Sequence, residues 1–496
     1  MKKSKGFMFV MTAIISCMLM NTCIVNASDH VPYETYNYNY RDYIVFTPAA
    51  YLPDSAINAA DFGIGAFLNP QDLCISPVDN LIYVADTDKN RIVVFDSELT
   101  KVVKEITSFD NNGTIDSFKK PYGVAVSNSN QLYIADSENR RIVVLDPEGK
   151  LVKIVDNPEN EVISEDYVFT PQKIVVDYAD RIYCIAQGVT EGLMVFDADG
   201  KFQSYFGTIK VNITLWEKIW KSLSSKEQRS KQSLYIAPEF TGIDVDPSGF
   251  IYASNLDTNG IQAVKRLNPK GEDVIVKGTK KNLGGDIDFL SFSDYSGPSV
   301  MVDVTYRHDG IYSLLDSRRG RIFTYDSEGN LLYIFGGLGT QAGTFKKPVA
   351  IESIGEKIIV LDATRNEILI FNETIYGSLI NEAISLRYSG DEAEAVDLWQ
   401  QVLKLDENFE LANVGIGKAY LAAGDNHQAM KYLKLGMSRE YYSIAYKRYR
   451  NEVLKDNIGY VLTGIIVLIA GVSVTKMILR RRKKTYIDTD EGGGLE

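Results

Sequence analysis

The amino-acid sequence predicts a mainly β protein: a six-bladed β-propeller, followed by an α-helical pair of hairpins and one transmembrane helix. Three observations predict this order. A pattern of short alternating strands occurs six times between Pro70 and Phe371, and near Leu379 the hydrophobic period changes from two to about 3.6. In addition, the 18 residues from Ile458 to Thr475 carry no charged side chain, which is close to the length that a membrane-crossing helix needs.

Residues 1–27 have the composition of a signal peptide. They begin with lysines from Lys2 onward, continue through an apolar stretch from Phe7, and end at Val25-Asn26-Ala27, a cleavage pattern of small residues. An alternative interpretation is a lipoprotein signal, because the four residues that end at Cys17 resemble a bacterial lipobox in which that cysteine is acylated. Either interpretation places the following domain outside the cytoplasm.

The composition excludes several classes of function. The chain has 53 lysine and arginine residues against 65 aspartate and glutamate residues, a net charge of −12, which disfavours nucleic-acid binding. Its three histidines, His30, His308 and His427, are far apart in sequence, so we expect no histidine-based metal centre and no cofactor. Cys74 and Cys184, which remain after signal cleavage, are too few for a disulfide framework.

Six copies of one pattern define the blades. Each copy has a proline before an alternating apolar strand, a second strand ending in Tyr-x-Ala-Asp or a variant, a polar turn, and a third strand before Asp-x-x-Gly. The prolines are Pro70, Pro121, Pro171, Pro238, Pro298 and Pro348, separated by 51, 50, 67, 60 and 50 residues. Such short strands cannot bury both faces in a lone sheet, whereas sheets stacked around an axis can. We therefore assign residues 28–376 to the propeller.

Two copies carry the pattern most clearly: Leu81–Asp86 with Asn90–Asp96, and Leu132–Asp136 with Asn139–Asp146. In these copies the chain resembles the NHL-repeat family of β-propellers. The resemblance covers about Pro70 to Phe371 and implies a rigid disc that binds proteins, polysaccharides or nucleic acids. The acidic composition removes the last of these partners.

A closed ring needs a last strand, since an open sheet edge invites aggregation. The tyrosine-rich segment Tyr36–Phe46 alternates as a strand does, and we predict that it returns beside the sixth blade. An alternative interpretation of these tyrosines is a platform for carbohydrate.

The second strands end at four aspartates that suggest a ring of catalytic carboxylates. Each aspartate is followed closely by arginine: Asp86 by Arg91, Asp136 by Arg140 or Arg141, Asp316 by Arg321, and Asp362 by Arg365. A pair that recurs from blade to blade is typical of a structural clamp on a turn, so we predict ion pairs instead of catalysis.

Candidate contact residues lie in an insertion and in two loops. The insertion, residues 208–234, is predicted to contain a helix with Trp216 and Trp220, and exposed tryptophans often mark a contact surface. A helix folded back onto the propeller is the alternative. Blades three and four also depart from the repeat at residues 185–188 and 254–256. Paired lysines precede the inner strands of two blades and are candidates for an acidic ligand, or are simply solvated: Lys119, Lys120, Lys346 and Lys347.

The helical segment, residues 377–456, repeats with a displacement of 34 residues. Ala395 corresponds to Ala429 and Trp399 to Leu433, and the segment resembles a pair of tetratricopeptide repeats. The transmembrane helix is assigned to residues 457–479. The basic tail, residues 480–496, is predicted to be cytoplasmic because it begins with five consecutive Arg and Lys residues, and the propeller is therefore predicted to be extracytoplasmic.

These features predict a single-pass cell-membrane protein whose propeller is a binding or scaffold module. The resemblance to bacterial surface proteins implies recruitment of a membrane or envelope protein, or of surface carbohydrate, for a transport or envelope system. The alternative is a metal-dependent hydrolase, since the repeats are also similar to those of gluconolactonases, which hold a divalent cation such as calcium in the channel. Candidate ligands on inner strands are Asp177, Asp244, Asp246 and Asp303.

Overall fold

The computed structural model describes residues 31–490, apart from residues 159, 161, 164–165, 209–237, 258–261, 278–283 and 287–296. The chain divides into two compact units. One contains the residues up to Asp391 together with Gln401–Asn408, and the other contains Glu392–Gln400 and the residues from Phe409 onward.

Six antiparallel sheets form the blades of a propeller, and this confirms the predicted fold class. From the innermost strand outward, blade one contains β4 (Asp72–Ile75), β5 (Ile82–Asp86), β6 (Arg91–Phe95) and β7 (Val102–Ile106). A separate hairpin of β8 (Ser108–Asn111) and β9 (Thr114–Ser117) follows it in the chain. Blade two contains β10 (Pro121–Val126), β11 (Leu132–Asp136), β12 (Arg141–Leu145) and β13 (Leu151–Val155). Blade three contains β14 (Pro171–Val176), β15 (Ile182–Ala186), β16 (Leu193–Phe196) and β17 (Phe202–Phe206), and blade four contains β18 (Phe240–Val245), β19 (Ile251–Asn255) and β20 (Val264–Leu267). Blade five contains β21 (Met301–His308), β22 (Ile311–Asp316), β23 (Arg321–Tyr325) and β24 (Leu331–Phe335), and blade six contains β25 (Pro348–Ile354), β26 (Lys357–Asp362), β27 (Glu367–Glu373) and β3 (Tyr51–Ile57). The inner strands of successive blades lie side by side, and β25 lies against β4, which closes the ring.

The strands bury both of their faces, as stacking of blades requires. In β12, Ile142 and Val144 pack in the cluster shared with blade three, whereas Val143 and Leu145 pack in the cluster shared with blade one. The period-two alternation therefore distributes apolar residues to two interfaces instead of to one core and solvent.

The ring is closed by a strand other than the one predicted. β3 pairs with β27 from Tyr51 opposite Glu373 to Ile57 opposite Ile368, and as the outermost strand it accommodates Pro53. The prediction that Tyr36–Phe46 closes the ring is wrong. That segment is a separate hairpin of β1 (Tyr36–Tyr38) and β2 (Ile44–Phe46), and β1 packs against β24.

Side-chain hydroxyls explain where this hairpin lies. Tyr36 donates to both carboxylate oxygens of Asp286 at 2.7 Å, and Tyr38 donates to the same carboxylate. The Asp286 carboxyl group is itself 4% exposed. A buried carboxylate that is satisfied by two tyrosines fixes the hairpin away from the edge of blade six.

The predicted Asp–Arg clamps are confirmed in blades one and two. Arg91 Nε lies 2.7 Å from Asp86, and Arg141 Nε lies 2.9 Å from Asp136, both aspartates being fully buried. Arg140, the alternative partner in blade two, is exposed and adopts a left-handed backbone conformation with φ of 60°.

The clamps of blades five and six are different. Asp316 faces Arg319 at 3.8 Å, whereas Arg321 donates to the carbonyl of Gly336. Asp362 accepts the backbone amide of Arg365 at 2.8 Å. In all four blades the aspartate also accepts an amide from the segment before or at the start of the inner strand, donated by Leu68, Lys119, Val300 and Lys346. The four carboxylates are therefore occupied in joining strands to loops.

Five helices follow the last blade: α1 (Ile375–Ser389), α2 (Ala395–Leu405), α3 (Glu410–Ala422), α4 (Asn426–Leu435) and α5 (Arg439–Asp490). The 34-residue displacement has a structural counterpart. The corresponding residues are buried in both copies: Ala395 with Ala429, and Trp399 with Leu433. Gly390, after α1, and Gly424, between α3 and α4, are also 34 residues apart, and both have positive φ. α1 belongs to the same compact unit as the propeller, which therefore extends past residue 376.

α5 is continuous through residues 456 and 457, where the sequence analysis separated a helical segment from the span. Its first turns pack on α4, with Ala445 fully buried in a cluster with Leu433. Among the described helices, α5 alone is long and apolar enough to cross a membrane, with a mean hydropathy of 2.2 in its most apolar window.

Candidate functional site

Charged and small residues alternate around one ring of the channel. Six residues occupy the same register on the six inner strands, each opposite the residue before the end of its second strand: Asp72, Gly123, Lys173, Gly242, Asp303 and Ala350. Blades one, three and five carry charged side chains, and blades two, four and six carry glycine or alanine. The three charged side chains can therefore meet, because the small residues between them leave room.

Lys173 is the centre of this ring. Its Nζ lies 3.1 Å from a carboxylate oxygen of Asp72, 2.9 Å from one of Asp303, and 3.4 Å from the carbonyl oxygen of Val349. All three charged side chains are less than 9% exposed. We call Asp72, Lys173 and Asp303 the channel triad.

The second carboxylate oxygens of the triad anchor the inner strands. Asp72 accepts the amide of Val124 at 3.1 Å, and Asp303 accepts the amide of Ile351 at 2.9 Å. Each aspartate thereby bridges its own blade to the next one. The triad is thus part of the ring's hydrogen bonding as well as its charge balance.

Two residues further along the inner strands lies a second layer, in which blades four, five and six carry acidic or hydroxyl side chains and blades one to three do not. Asp244, Thr305 and Glu352 come from blades four, five and six, and the Thr305 hydroxyl lies 3.2 Å from Glu352. Asp244 accepts amides from Tyr306 at 2.6 Å and Val245 at 2.7 Å. The corresponding residues of blades one to three are Cys74, Ala125 and Val175.

These two layers line a cavity of about 260 Å³. The triad lies at its floor, and its mouth is bordered by Pro77, Asn128, Tyr178 and Gly249, which belong to turns between first and second strands. The cavity therefore opens at the end of the channel where the inner strands end.

Burial shifts the acids of the cavity toward their neutral forms. Burial raises the pKa of Asp244 to about 7 against two amide hydrogen bonds that lower it, and burial raises the pKa of Asp303 to about 6 although Lys173 opposes this. The pKa of Glu352 is raised well above its ordinary value by burial and by the charges of Asp244, Asp303 and Asp72. Burial therefore favours protons on these acids, and Glu352 has the additional repulsion of three neighbouring carboxylates.

Of the four predicted metal ligands, only Asp244 and Asp303 have their carboxylates in the two layers of the channel. Asp177 and Asp246 lie at the cavity rim, where each accepts a backbone amide of its own turn and forms an ion pair with an arginine. Arg181 lies 2.6 Å from Asp177, and the guanidinium of Arg266 lies 2.9 Å from Asp246.

The candidate lysines lie on the opposite face, beside the beginnings of the inner strands. Lys119 and Lys120 each lie 3.2 Å from a carboxylate oxygen of Glu138. Lys346 and Lys347 are exposed, and their backbone amides donate to Asp362. The structure does not bring these lysines to the cavity. Trp216, Trp220 and Cys17 lie outside the described residues.

The sequence analysis missed three residues of the site: Asp72, Lys173 and Glu352. The first two each follow a repeat proline by two positions, inside strands that are otherwise apolar. A charged residue in the innermost strand of a propeller must point into the channel or into a blade interface, and comparison of this position across the six copies was the available signal.

The donor set does not fit the divalent cation that the resemblance to gluconolactonases implies. Within the described residues, no three Asp, Glu, His or Cys side chains are arranged to hold a metal ion. The place between Asp72 and Asp303 is filled by an ammonium group, and a calcium ion needs six to eight oxygen ligands. We therefore derive no reaction step through a metal.

Comparisons with known proteins find one partial family match and several distant structural similarities. The sequence profile of the SMP-30/Gluconolactonase/LRE-like region matches residues 64–167. Virginiamycin B lyase from Staphylococcus aureus aligns at 12% identity over 64% of this chain and 99% of its own, with a TM-score of 0.39. A streptogramin B lyase aligns at 12% identity over 68% and 86%, with a TM-score of 0.38, and the β-propeller domain of Cps50 (Swd1) from Myceliophteria thermophila aligns at 11% over 65% and 100%, with a TM-score of 0.37. No curated protein matches the sequence. Propellers of unrelated function share similarity at this level.

Proposed function

We propose that this protein is a membrane-anchored binding or scaffold module, whose extracytoplasmic propeller recruits a protein or carbohydrate partner for a transport or envelope system. The observation that carries this proposal is the continuity of α5. Its first turns are fixed in a packed helical unit, where Arg448 donates to the carbonyl of Leu421, and the same helix continues into an apolar stretch. In that stretch Tyr460 is 80% exposed and Leu468 is 68% exposed, as lipid-facing side chains are.

Membrane anchoring is tested by alkaline extraction of membranes from cells that express the full chain. We expect the wild-type chain to stay in the pellet. A double variant with Ile465→Asp and Leu468→Asp should be released, because each aspartate at the centre of a span costs about 3 kcal/mol. A control with Lys447→Asp and Arg450→Asp, on the part of α5 before the apolar stretch, should remain in the pellet. Release of the wild-type chain would refute the anchor.

Orientation is tested with single cysteines and a membrane-impermeant maleimide. Burial raises the pKa of both Cys74 and Cys184, so these native thiols react slowly. We expect Glu98→Cys on the propeller to be labelled in intact cells and Thr489→Cys in the tail to be labelled only after lysis. The reverse pattern would place the propeller in the cytoplasm.

The contact surface is tested by comparing crosslinks of three double variants in native membranes. If the insertion carries the contact, Trp216→Ala with Trp220→Ala removes crosslinks to the partner. Lys346→Ala with Lys347→Ala and Lys119→Ala with Lys120→Ala both test the face opposite the cavity mouth. The second pair should have the smaller effect, because those two lysines already pair with Glu138. Unchanged crosslinks in the tryptophan variant would exclude the insertion as the contact site.

A gluconolactonase-like hydrolase is the second candidate, favoured by the profile match over residues 64–167. Its required cation conflicts with the ammonium group of Lys173 in the channel. We expect the purified full chain to hydrolyse no lactone faster with millimolar calcium than with EDTA. A calcium-dependent rate that Asp303→Asn abolishes would establish the hydrolase instead.

A further inference from the structure

We propose that Lys173 is the resident cation of the channel: its ammonium group occupies the position between Asp72 and Asp303 that a divalent cation would otherwise fill. The native ring is then independent of metal, and replacing Lys173 by a small side chain converts this position into a cation site. The inference is independent of how the chain is anchored or which partner it binds.

The geometry at the ammonium group is that of a cation site. Oxygens of Asp72, Asp303 and Val349 surround one point, the Nζ atom, at 2.9 to 3.4 Å. An ammonium group has three donors, so these three oxygens are its full set of partners. Once the ammonium group is removed, the two carboxylates and the carbonyl supply three of the six to eight oxygen ligands that calcium takes, and water supplies the others. To reach about 2.6 Å from a calcium ion at the Nζ position, the oxygens of Asp303, Asp72 and Val349 must move inward by roughly 0.3, 0.5 and 0.8 Å.

Charge makes a cation obligatory at this position. Two carboxylates with one ammonium group leave the triad at −1, and the next layer, with Asp244 and Glu352, adds acidic groups and no second cation. Burial lowers the pKa of Lys173, but Asp303 and Asp72 outweigh it, and the net result is a raised pKa. The ammonium form of Lys173 is therefore favoured by its two carboxylate partners. Without it, two buried carboxylates face each other and must take up protons or a metal ion.

Two glycines beside the channel triad leave the space that its side chains and backbone occupy. A Cβ on Gly242 would overlap the Cα and carboxylate of Asp303, and a Cβ on Gly123 would overlap the carbonyl of Gln172, which precedes Lys173. Neither glycine has a positive φ, so each is needed for space and not for backbone conformation. The small residues of the ring thus leave space for the three charged side chains of the channel triad.

The experiment uses the detergent-solubilised full chain and measures its melting temperature in EDTA and in about 5 mM calcium. The wild-type chain should melt at the same temperature in both, within about 1 °C. Lys173→Ala should melt lower in EDTA and rise by several degrees in calcium, with terbium luminescence saturating at about one ion per chain. The matched control is Lys173→Ala combined with Asp72→Asn and Asp303→Asn, which should show neither response.

Two results would overturn the proposal. One is a wild-type chain whose melting temperature falls in EDTA, and the other is a folded Lys173→Ala variant that binds neither calcium nor terbium. If Lys173→Ala does not fold in EDTA, the same comparison is made by refolding it with calcium. Recovery supports the proposal, and failure to recover while the triple variant folds contradicts it. Lys173→Gln, which keeps side-chain volume and a donor, should bind calcium more weakly than Lys173→Ala.

Discussion

Replacing Asp244 by asparagine should change how the stability of the propeller depends on pH. In the folded chain, burial raises the pKa of this carboxyl group from its ordinary value of 3.8 to about 7. A carboxyl group with a raised pKa favours the folded state when protonated. Its contribution is therefore complete below pH 4 and is lost as the pH rises through 7.

The magnitude follows from these two pKa values. Between pH 5 and pH 8 the folded chain releases a proton that the unfolded chain has already lost, which corresponds to about 3 kcal/mol. For a propeller of roughly 350 residues, the average unfolding entropy converts this free energy to about 4 °C in melting temperature. Asp244→Asn also weakens one hydrogen bond, because its amide nitrogen cannot accept the amide of Tyr306 or Val245. The loss of this hydrogen bond lowers stability equally at every pH. The pH dependence of the stability difference between wild type and variant therefore reports only on the proton of Asp244.

The assay is thermal unfolding of the detergent-solubilised wild-type and variant chains at half-unit steps from pH 5 to pH 8. The wild-type advantage over Asp244→Asn should be about 4 °C larger at pH 5 than at pH 8. Glu98→Gln is the control, since this side chain is 65% exposed and paired only with Lys357 on the surface. Parallel curves for the wild type and Asp244→Asn would refute the assignment of a neutral, buried Asp244.

Two further substitutions test the clamps and the ring. Arg141→Ala should lower the free energy of unfolding by about 3 kcal/mol because it leaves the buried Asp136 without its cation, whereas Arg140→Ala should change it by less than about 0.5 kcal/mol, as measured by urea unfolding. Equal losses would show that the clamp was assigned wrongly. Gly123→Ala should cost about 1–3 kcal/mol, since the added methyl group overlaps the carbonyl of Gln172, and an unchanged thermal midpoint would contradict the packing of the inner ring.

The blades were predictable because each is a local unit that the chain repeats. A strand, a turn and the next strand lie within about 25 residues, so their hydrophobic alternation and turn residues are read from one continuous segment. The Asp86–Arg91 and Asp136–Arg141 pairs followed for the same reason, since each pair spans five residues.

The features that were not predicted correctly from the sequence depend on contacts between distant segments. The Tyr36–Phe46 segment has the alternation of a closing strand, yet its position is decided by the carboxylate of Asp286, about 250 residues away. The channel triad likewise combines three blades, and its meaning depends on the register that brings Asp72, Lys173 and Asp303 to one height. Neither local propensity nor hydrophobic period contains that information.

Ring closure and the first helix form one polar network. Arg307 of β21 donates to the hydroxyl of Tyr333 at 2.6 Å and to the hydroxyl of Tyr51, on the closing strand, at 2.5 Å. Tyr333 in turn donates to Asn381 of α1 at 2.8 Å, and the Asn381 amide donates to Glu373 at the end of β27. Removing any one member leaves polar groups without partners in a largely enclosed site, so the closing strand and α1 are expected to be stable only together. α1 is therefore a closing element of the propeller.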